Sequence, residues 1–211
     1  MKLFIIRHAE SRNNRLGLDL DYKDYMAQRS ADPPITELGQ RQAQVLAEHL
    51  AHAISPEHYV EGSPDDDQST NGYRLSALYC SAMLRTMQTA QPAAEKLGMT
   101  PHLWIDIHEH GGMFEGNPHT REGFVEYPGL TRAEIGERFP GYVLPEAITD
   151  TGWWRGGYED MPGCYARATR VARDLRRRAQ EGFEKELEER IAIVSHGTFI
   201  DSLLKALFNQ L

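Results

Sequence analysis

The sequence predicts an α/β fold, a three-layer α/β/α sandwich around a mostly parallel central sheet. Short apolar runs alternate with segments of helical periodicity along the chain. The runs are continuously apolar, as in strands buried on both faces, and no hairpin turn joins one to the next. The 211 residues fit one domain spanning 1–211, with an inserted lid-like segment at about 108–162 that passes over the active-site end of the sheet. A chain of this length buries roughly 70% of the surface its unfolded form exposes, so it needs neither a metal nor a disulfide staple.

Lys2 to Arg7 is the first strand, and Asp32, Pro33 and Pro34 then punctuate the chain. Thr36 is a helix cap, with Glu37 complementing the dipole and Ala43, Leu46, Ala47, Leu50 and Ile54 recurring along one face. Residues 55 to 74, rich in Asp, Ser, Asn and Gly, read as a solvated loop. Leu75 to Cys80 is a second strand, followed by Ser81 as a cap and a helix bearing Leu84, Met87, Ala94 and Leu97. Leu103, Ile105 and Ile107 alternate, predicting a strand over His102 to Ile107. The Gly- and Pro-rich stretch from His108 to Pro162 carries one clear helix, Thr131 to Phe139, in which Thr131 and Glu134 have capping-box spacing. Tyr165, Ala168, Ala172, Leu175 and Ala179 mark a long helix; Ile191 to Ser195 is the last strand and Phe199 to Phe208 the closing helix.

The balance of 23 Lys and Arg against 31 Asp and Glu, a net charge of −8, argues against a nucleic-acid footprint or a polybasic membrane patch. The opening apolar run is too short for a signal sequence or a membrane span, and two cysteines, Cys80 and Cys164, suit a reducing compartment. The expectation is a cytoplasmic protein whose anionic ligand is met by local cations. Its oligomeric state is not legible.

In open α/β sheets the ligand crevice lies beyond the carboxyl ends of the strands. There the sequence places Arg7 and His8 after the first strand, Ser81 and Arg85 after the second, and Ser195, His196 and Gly197 after the last. Arginines beside helix N-termini suit a phosphoryl group. They also disfavour the imidazolium form of a nearby histidine, leaving a nitrogen lone pair for attack on phosphorus. A covalent phosphohistidine is therefore chemically open to these residues before any resemblance is drawn.

Four stretches then resemble the histidine phosphatase superfamily, which includes the cofactor-dependent phosphoglycerate mutases. They are Arg7-His8-Ala9-Glu10-Ser11 with Asn14; Pro34-Ile35-Thr36-Glu37-Leu38-Gly39 with Gln42-Ala43; Tyr79-Cys80-Ser81 with Arg85-Thr86 and Gln88-Thr89-Ala90; and Val194-Ser195-His196-Gly197. Ala9 departs from the family's glycine. The resemblance implies His8 as nucleophile and Arg7, Asn14, Arg85 and His196 as phosphate ligands. It also implies a proton donor in a segment similar to His108 to Gly116: Glu109, with Glu115 and Asp106 as alternatives because the spacing there is one residue short.

The implied activity is a phosphomonoester phosphatase acting on a small phosphorylated metabolite, with no cofactor and no metal. A mutase, or a non-catalytic phospho-ligand binder, is the alternative; hydrolysis is preferred because little chain follows the final helix to shield a phosphoenzyme from water. Only four residues separate Cys80 from Arg85, one too few for a cysteine-phosphatase cradle, so Cys80 reads as core. His108, His110 and His119 with Glu109 and Glu115 match no helical metal motif. Trp153, Trp154 and Tyr158 read as packing residues or an apolar subsite, and Arg121, Arg132, Arg138 and Arg155 as candidates for a second anionic group on the substrate.

Overall fold

A computed structural model of the protein describes residues 1–52 and 73–210. Strand β1 (Lys2–Arg7) is followed by helices α1 (Arg12–Asp19), α2 (Tyr22–Gln28) and α3 (Glu37–Ala51). Strand β2 (Ala77–Cys80), helix α4 (Leu84–Leu97) and strand β3 (Pro101–Leu103) come next, then a 3-10 turn at Ile105–Ile107. Strands β4 (Phe114–Glu115) and β5 (Val125–Glu126) and helix α5 (Arg132–Arg138) follow, and α6 (Met161–Glu184), β6 (Arg190–Ser195) and α7 (Gly197–Leu207) complete the described chain.

The main sheet has the order β1-β6-β2-β3 and every neighbouring pair is parallel. Its two faces take alternate residues, as the strand pleat requires. Ala192 and Val194 of β6 join Leu78 and Cys80 and face α4 through Leu84, Met87, Ala90 and Ala94. Ile191 and Ile193 face α6 and α7 through Val171, Leu175, Phe199 and Leu203. All six residues of β6 are buried, which is why that strand reads as an unbroken apolar run. These layers form the three-layer sandwich that the sequence predicts.

The excursion between β3 and α6 packs Met113, Ile135, Phe139, Tyr142, Ile148 and Trp153 into the α4-side core. It also touches the sheet edge, where Leu103 N donates to Val143 O and Val143 N to Pro101 O, both at 2.9 Å. Helix α5 carries the expected box: Thr131 N donates to Glu134 Oε2 at 2.7 Å and Glu134 N to Thr131 Oγ1 at 3.2 Å.

Several expectations are corrected. Strand β3 ends at Leu103, not Ile107, because Trp104 N takes Cys80 O and the chain then turns, with His108 N bonding Ile105 O. The alternation of Ile105 and Ile107 thus belongs to a 3-10 turn. Ser81 does not cap α4; the N-cap is Met83, and the exposed helix donor Leu84 N is met by Asp32 Oδ1 at 2.9 Å. Met161 and Pro162 belong to α6, whose N-cap Asp160 accepts from Gly163 N at 2.9 Å, and proline is tolerated in a first helical turn. Helices α1 and α2 are additions to the sequence reading. The predicted loop at 55–74 falls outside the described residues but for 73 and 74, and so does Ile54.

Thr36 caps α3 as expected, accepting from Gly39 N at 3.1 Å. Gly39 has to be glycine there, since a Cβ would stand 2.2 Å from Glu10 O. That close approach holds the start of α3 against the chain that leaves β1. Among the described residues no helix is long and apolar enough to cross a membrane.

Candidate active site

The parallel register brings the carboxyl ends of β1, β6 and β2 together, so the residues after them meet. His8 N extends the ladder by donating to Ser195 O at 2.9 Å, which carries the imidazole just past the sheet. A cleft of about 120 Å³ opens there, lined by Arg7, His8, Asn14, Tyr25, Arg29, Arg85, Glu109 and His110, among others. A neighbouring opening of about 350 Å³ shares Arg7, His8 and Asn14 and adds Glu10, Leu18 and Gln42.

The His8 tautomer follows from its contacts. Nδ1 lies 2.7 Å from Ala9 O, and a carbonyl only accepts, so Nδ1 carries the proton and Nε2 the lone pair. Arg85 Nε donates to that Nε2 at 3.3 Å. Burial first, then the Arg85 and Arg7 charges, lower the His8 pKa to about 3, so the ring is neutral at physiological pH. Ala9 N donates to Thr89 Oγ1 at 3.0 Å, and Thr89 Oγ1 donates to Arg85 O at 2.6 Å, bracing the residue after His8 to the helix that carries Arg85.

Arg85 is buried in the first turn of α4, its Nη1 3.8 Å from Asp32 Oδ1. Burial raises the Asp32 carboxyl to about 6, against the opposing pull of Arg85, and Asp32 Oδ2 is buried without a hydrogen-bond partner. Arg7 is exposed and packs beside Gly197, with its Nε 3.5 Å from where a Cβ would stand. Asn14 turns its Oδ1 to Ser11, accepting from Ser11 N at 3.0 Å and Ser11 Oγ at 2.9 Å, so its amide group is the end left for a ligand.

His196 is fully buried, with ring centroid 5.2 Å from that of His8. Its Nε2 lies 2.7 Å from Ser81 Oγ, which lies 2.8 Å from Thr86 Oγ1. Thr86 spends its hydroxyl proton on a carbonyl, Met83 O at 2.7 Å, so Ser81 donates to Thr86 and His196 Nε2 donates to Ser81. The unpartnered Nδ1 of His196 therefore carries the lone pair in the neutral ring. Burial, with Arg85 and His8 nearby, holds that ring well below the usual histidine pKa.

Glu109 meets the N-terminus of α7. Its Oε1 accepts from His110 N at 2.9 Å and Phe199 N at 3.1 Å, and its Oε2 from Thr198 N at 3.4 Å. Glu115, by contrast, accepts from Tyr127 OH at 2.7 Å and Ala31 N at 3.3 Å and does not line the cleft. Asp106 does not line it either.

Other residues singled out by sequence lie elsewhere. Cys80 is wholly buried in the α4-side core, which pushes its thiol pKa up. Among the described residues no group of three His, Cys, Asp or Glu could hold a metal ion. Trp153 is core, and Trp154 donates Nε1 to Gly157 O at 2.9 Å. Arg132 binds the carbonyls of Ile148 and Pro145, Arg155 binds Thr149 and Thr151, and Arg121 lies over Phe124. None of the four proposed arginines lines the cleft; Arg29, missed by the sequence reading, does. Its Nη1 donates to Phe114 O at 2.5 Å and its guanidinium lies 3.8 Å from the Phe114 ring centroid. A larger groove of about 590 Å³, lined by Tyr79, Trp104 and Arg178, runs along the β3 edge and holds none of the clustered site residues.

The sequence model of the histidine phosphatase superfamily (branch 1) matches residues 3–61 and 68–210. Among solved structures, the mycobacterial glucosyl-3-phosphoglycerate phosphatase complexed with VO3 is 19% identical, with a TM-score of 0.53 over 99% of this chain and 82% of that one. The ecdysone phosphate phosphatase of Bombix mori in complex with tungstate is 17% identical, with a TM-score of 0.58 over 99% and 78%. The Entamoeba histolytica phosphoserine phosphatase bound to 3-phosphoglyceric acid is 18% identical, with a TM-score of 0.51 over 98% and 79%. At these identities the likeness is one of fold. A PE-PGRS family protein of Mycobacterium tuberculosis, PE_PGRS11, is 36% identical over 87 residues, which are 41% of this chain and 12% of that protein.

Proposed function

The chain belongs to the histidine phosphatase superfamily, branch 1, and from that premise we propose that this phosphoric monoester hydrolase works through a phosphohistidine on His8. The substrate in this reading is a small phosphorylated metabolite, and the enzyme is cytoplasmic and metal-independent. One observation carries the proposal. The lone-pair nitrogen of a neutral, buried imidazole lies 3.3 Å from Arg85 Nε, with its other nitrogen tied to a carbonyl.

In the first step His8 Nε2 attacks phosphorus while the ester P–O bond breaks, its electron pair leaving with the oxygen. Glu109 gives that oxygen its proton, and the amides of His110, Thr198 and Phe199 receive the carboxylate left behind. Arg7, Arg85 and Asn14 hold the non-bridging oxygens, and the two guanidiniums offset their charge in the transition state; His196, whose Nε2 proton is engaged by Ser81, donates to them once the arriving dianion draws a proton onto Nδ1. In the second step Glu109 takes a proton from water, the oxygen attacks phosphorus, the P–N pair returns to Nε2, and orthophosphate departs.

Two fold relatives, phosphatases of glucosyl-3-phosphoglycerate and of ecdysone phosphate, support hydrolysis of a phosphomonoester. The test is phosphate release from a panel of phosphorylated metabolites in excess chelator, wild type against His8→Ala. Release from some compounds that disappears in the variant is expected. Release that survives the substitution, or that chelator abolishes, would overturn the reading, and isomerised phosphoglycerate in the same tubes would favour mutase chemistry.

A further inference from the structure

Arg167 of α6 is only 2% exposed, and its guanidinium is saturated. Nε and Nη2 donate to the Glu159 carboxylate at 2.8 and 2.5 Å, while Nη1 donates to Asp106 O at 2.8 Å and His108 O at 2.9 Å. Between those carbonyls, Ile107 O accepts from Ser195 Oγ at 2.7 Å. Beyond Glu109, Glu159 N donates to Gly111 O at 3.3 Å. The guanidinium carbon also lies 4.5 Å from the ring centroid of Phe199, whose amide binds Glu109 Oε1. The backbone on both sides of Glu109 and one of the amides holding its carboxylate are thus tied to one buried ion pair.

A buried pair of this kind gains little stability over apolar side chains of the same volume, because both charges are stripped of water. Its distinctive property is geometric, since the planar fork fixes two carbonyls and a carboxylate in one frame. We propose that Arg167, with Glu159 as its counter-ion, is a positioning residue for Glu109, setting the carboxyl at the distance from the leaving oxygen that proton transfer needs. The inference rests on the reading of Glu109 as proton donor.

Proton donation matters most when the leaving group is a poor one, so the effect is selective. The experiment measures kcat and KM on p-nitrophenyl phosphate, whose phenolate leaves readily, and on glycerol phosphate, whose alkoxide does not. Glu109→Gln should lose on the order of 10²-fold or more in kcat on the alkyl ester and far less on the aryl ester. Arg167→Lys keeps the charge but cannot span both carbonyls, and should show the same selectivity at about tenfold, with KM little changed. Should that variant melt below assay temperature, Arg167→Met combined with Glu159→Met removes both charges together and leaves no unpaired ion. Selective loss in the Arg167 variants supports the proposal. Equal loss on both esters, or none, overturns it while Glu109→Gln stays selective. A non-selective Glu109→Gln refutes the reading of Glu109 itself.

Discussion

Acidification should unfold this protein steeply and in a window that its buried histidines set. Burial holds His8 and His108 at about 3, against an ordinary value of 6.5, and His196 well below that value. Between about pH 4 and 6 these rings are neutral when folded but take up a proton each on unfolding. Asp32 works the other way. Its carboxyl, raised from 3.8 to about 6, is largely protonated when folded and gives its proton up on unfolding in the same window. The unfolded state therefore binds about two more protons, and stability falls with falling pH by roughly 2.7 kcal/mol per pH unit. His110, half-buried and also lowered, adds in the same direction. For a chain of this length that slope is about 5–10 °C in melting temperature per unit. The assay is urea unfolding at half-unit steps from pH 6.5 to 4.5, alongside His108→Asn. Asparagine preserves the donor that His108 Nδ1 offers Ile105 O, yet does not titrate, so its slope should fall by roughly 1.4 kcal/mol per unit. A flat profile, a rise on acidification, or an unchanged slope in the variant would refute the assignment of neutral, buried rings.

Two substitutions probe the charges of the cleft. Asp32→Asn keeps an acceptor for Leu84 N but removes the carboxylate that shares Arg85 with any phosphoryl group. Inorganic phosphate should then inhibit severalfold more tightly above pH 6, with the difference shrinking at pH 5, where Asp32 is already protonated; weaker inhibition would sink the idea. Arg29→Met keeps an apolar side chain beside Phe114 while removing the guanidinium that lies over its ring and lines the cleft. It should raise KM by about tenfold for esters carrying a second anionic group and leave those with a neutral leaving group within about twofold. Equal changes on both classes would show that Arg29 does not read the leaving group.

Legibility in the sequence tracked how many residues a feature needs. Strands β1, β2 and β6 announce themselves as unbroken apolar runs covered on both faces, and helices α3, α4, α6 and α7 by an apolar face repeating at a period of 3.6. Helices α1 and α2 bury one residue apiece, Asn13 and Met26, so no apolar period existed to find; their signal was in Ser11 ahead of Asn14 and Asp21 ahead of Asp24. His8, Arg85 and His196 were within reach because a strand end fixes where the next residue points. Arg29 and Asp32 sit between short helices and prolines, and Arg167 faces inward from mid-helix, so their partners depend on how distant segments dock. Leu84 lies 52 residues from Asp32 and His108 lies 59 from Arg167.

Composition was silent about the ligand for a related reason. A net charge of −8 describes the whole chain, whereas a phosphoryl group meets a few ångströms of it. Within the cleft the balance is reversed: Arg7, Arg29 and Arg85 line it against a single acidic side chain, Glu109, whose oxygens are engaged by amides. Asp32 answers Arg85 from behind, and burial makes that answer incomplete below about pH 6. The same burial lowers the pKa of His8 and His196, so the site gains unprotonated ring nitrogen without gaining negative charge. An arriving phosphate dianion thus finds a local excess of fixed positive charge, in which the buried guanidinium of Arg85 counts for more than it would on the surface. The acidic exterior competes little, because exposed charges beyond about 10 Å are largely screened by salt while a buried one such as Arg85 is screened much less.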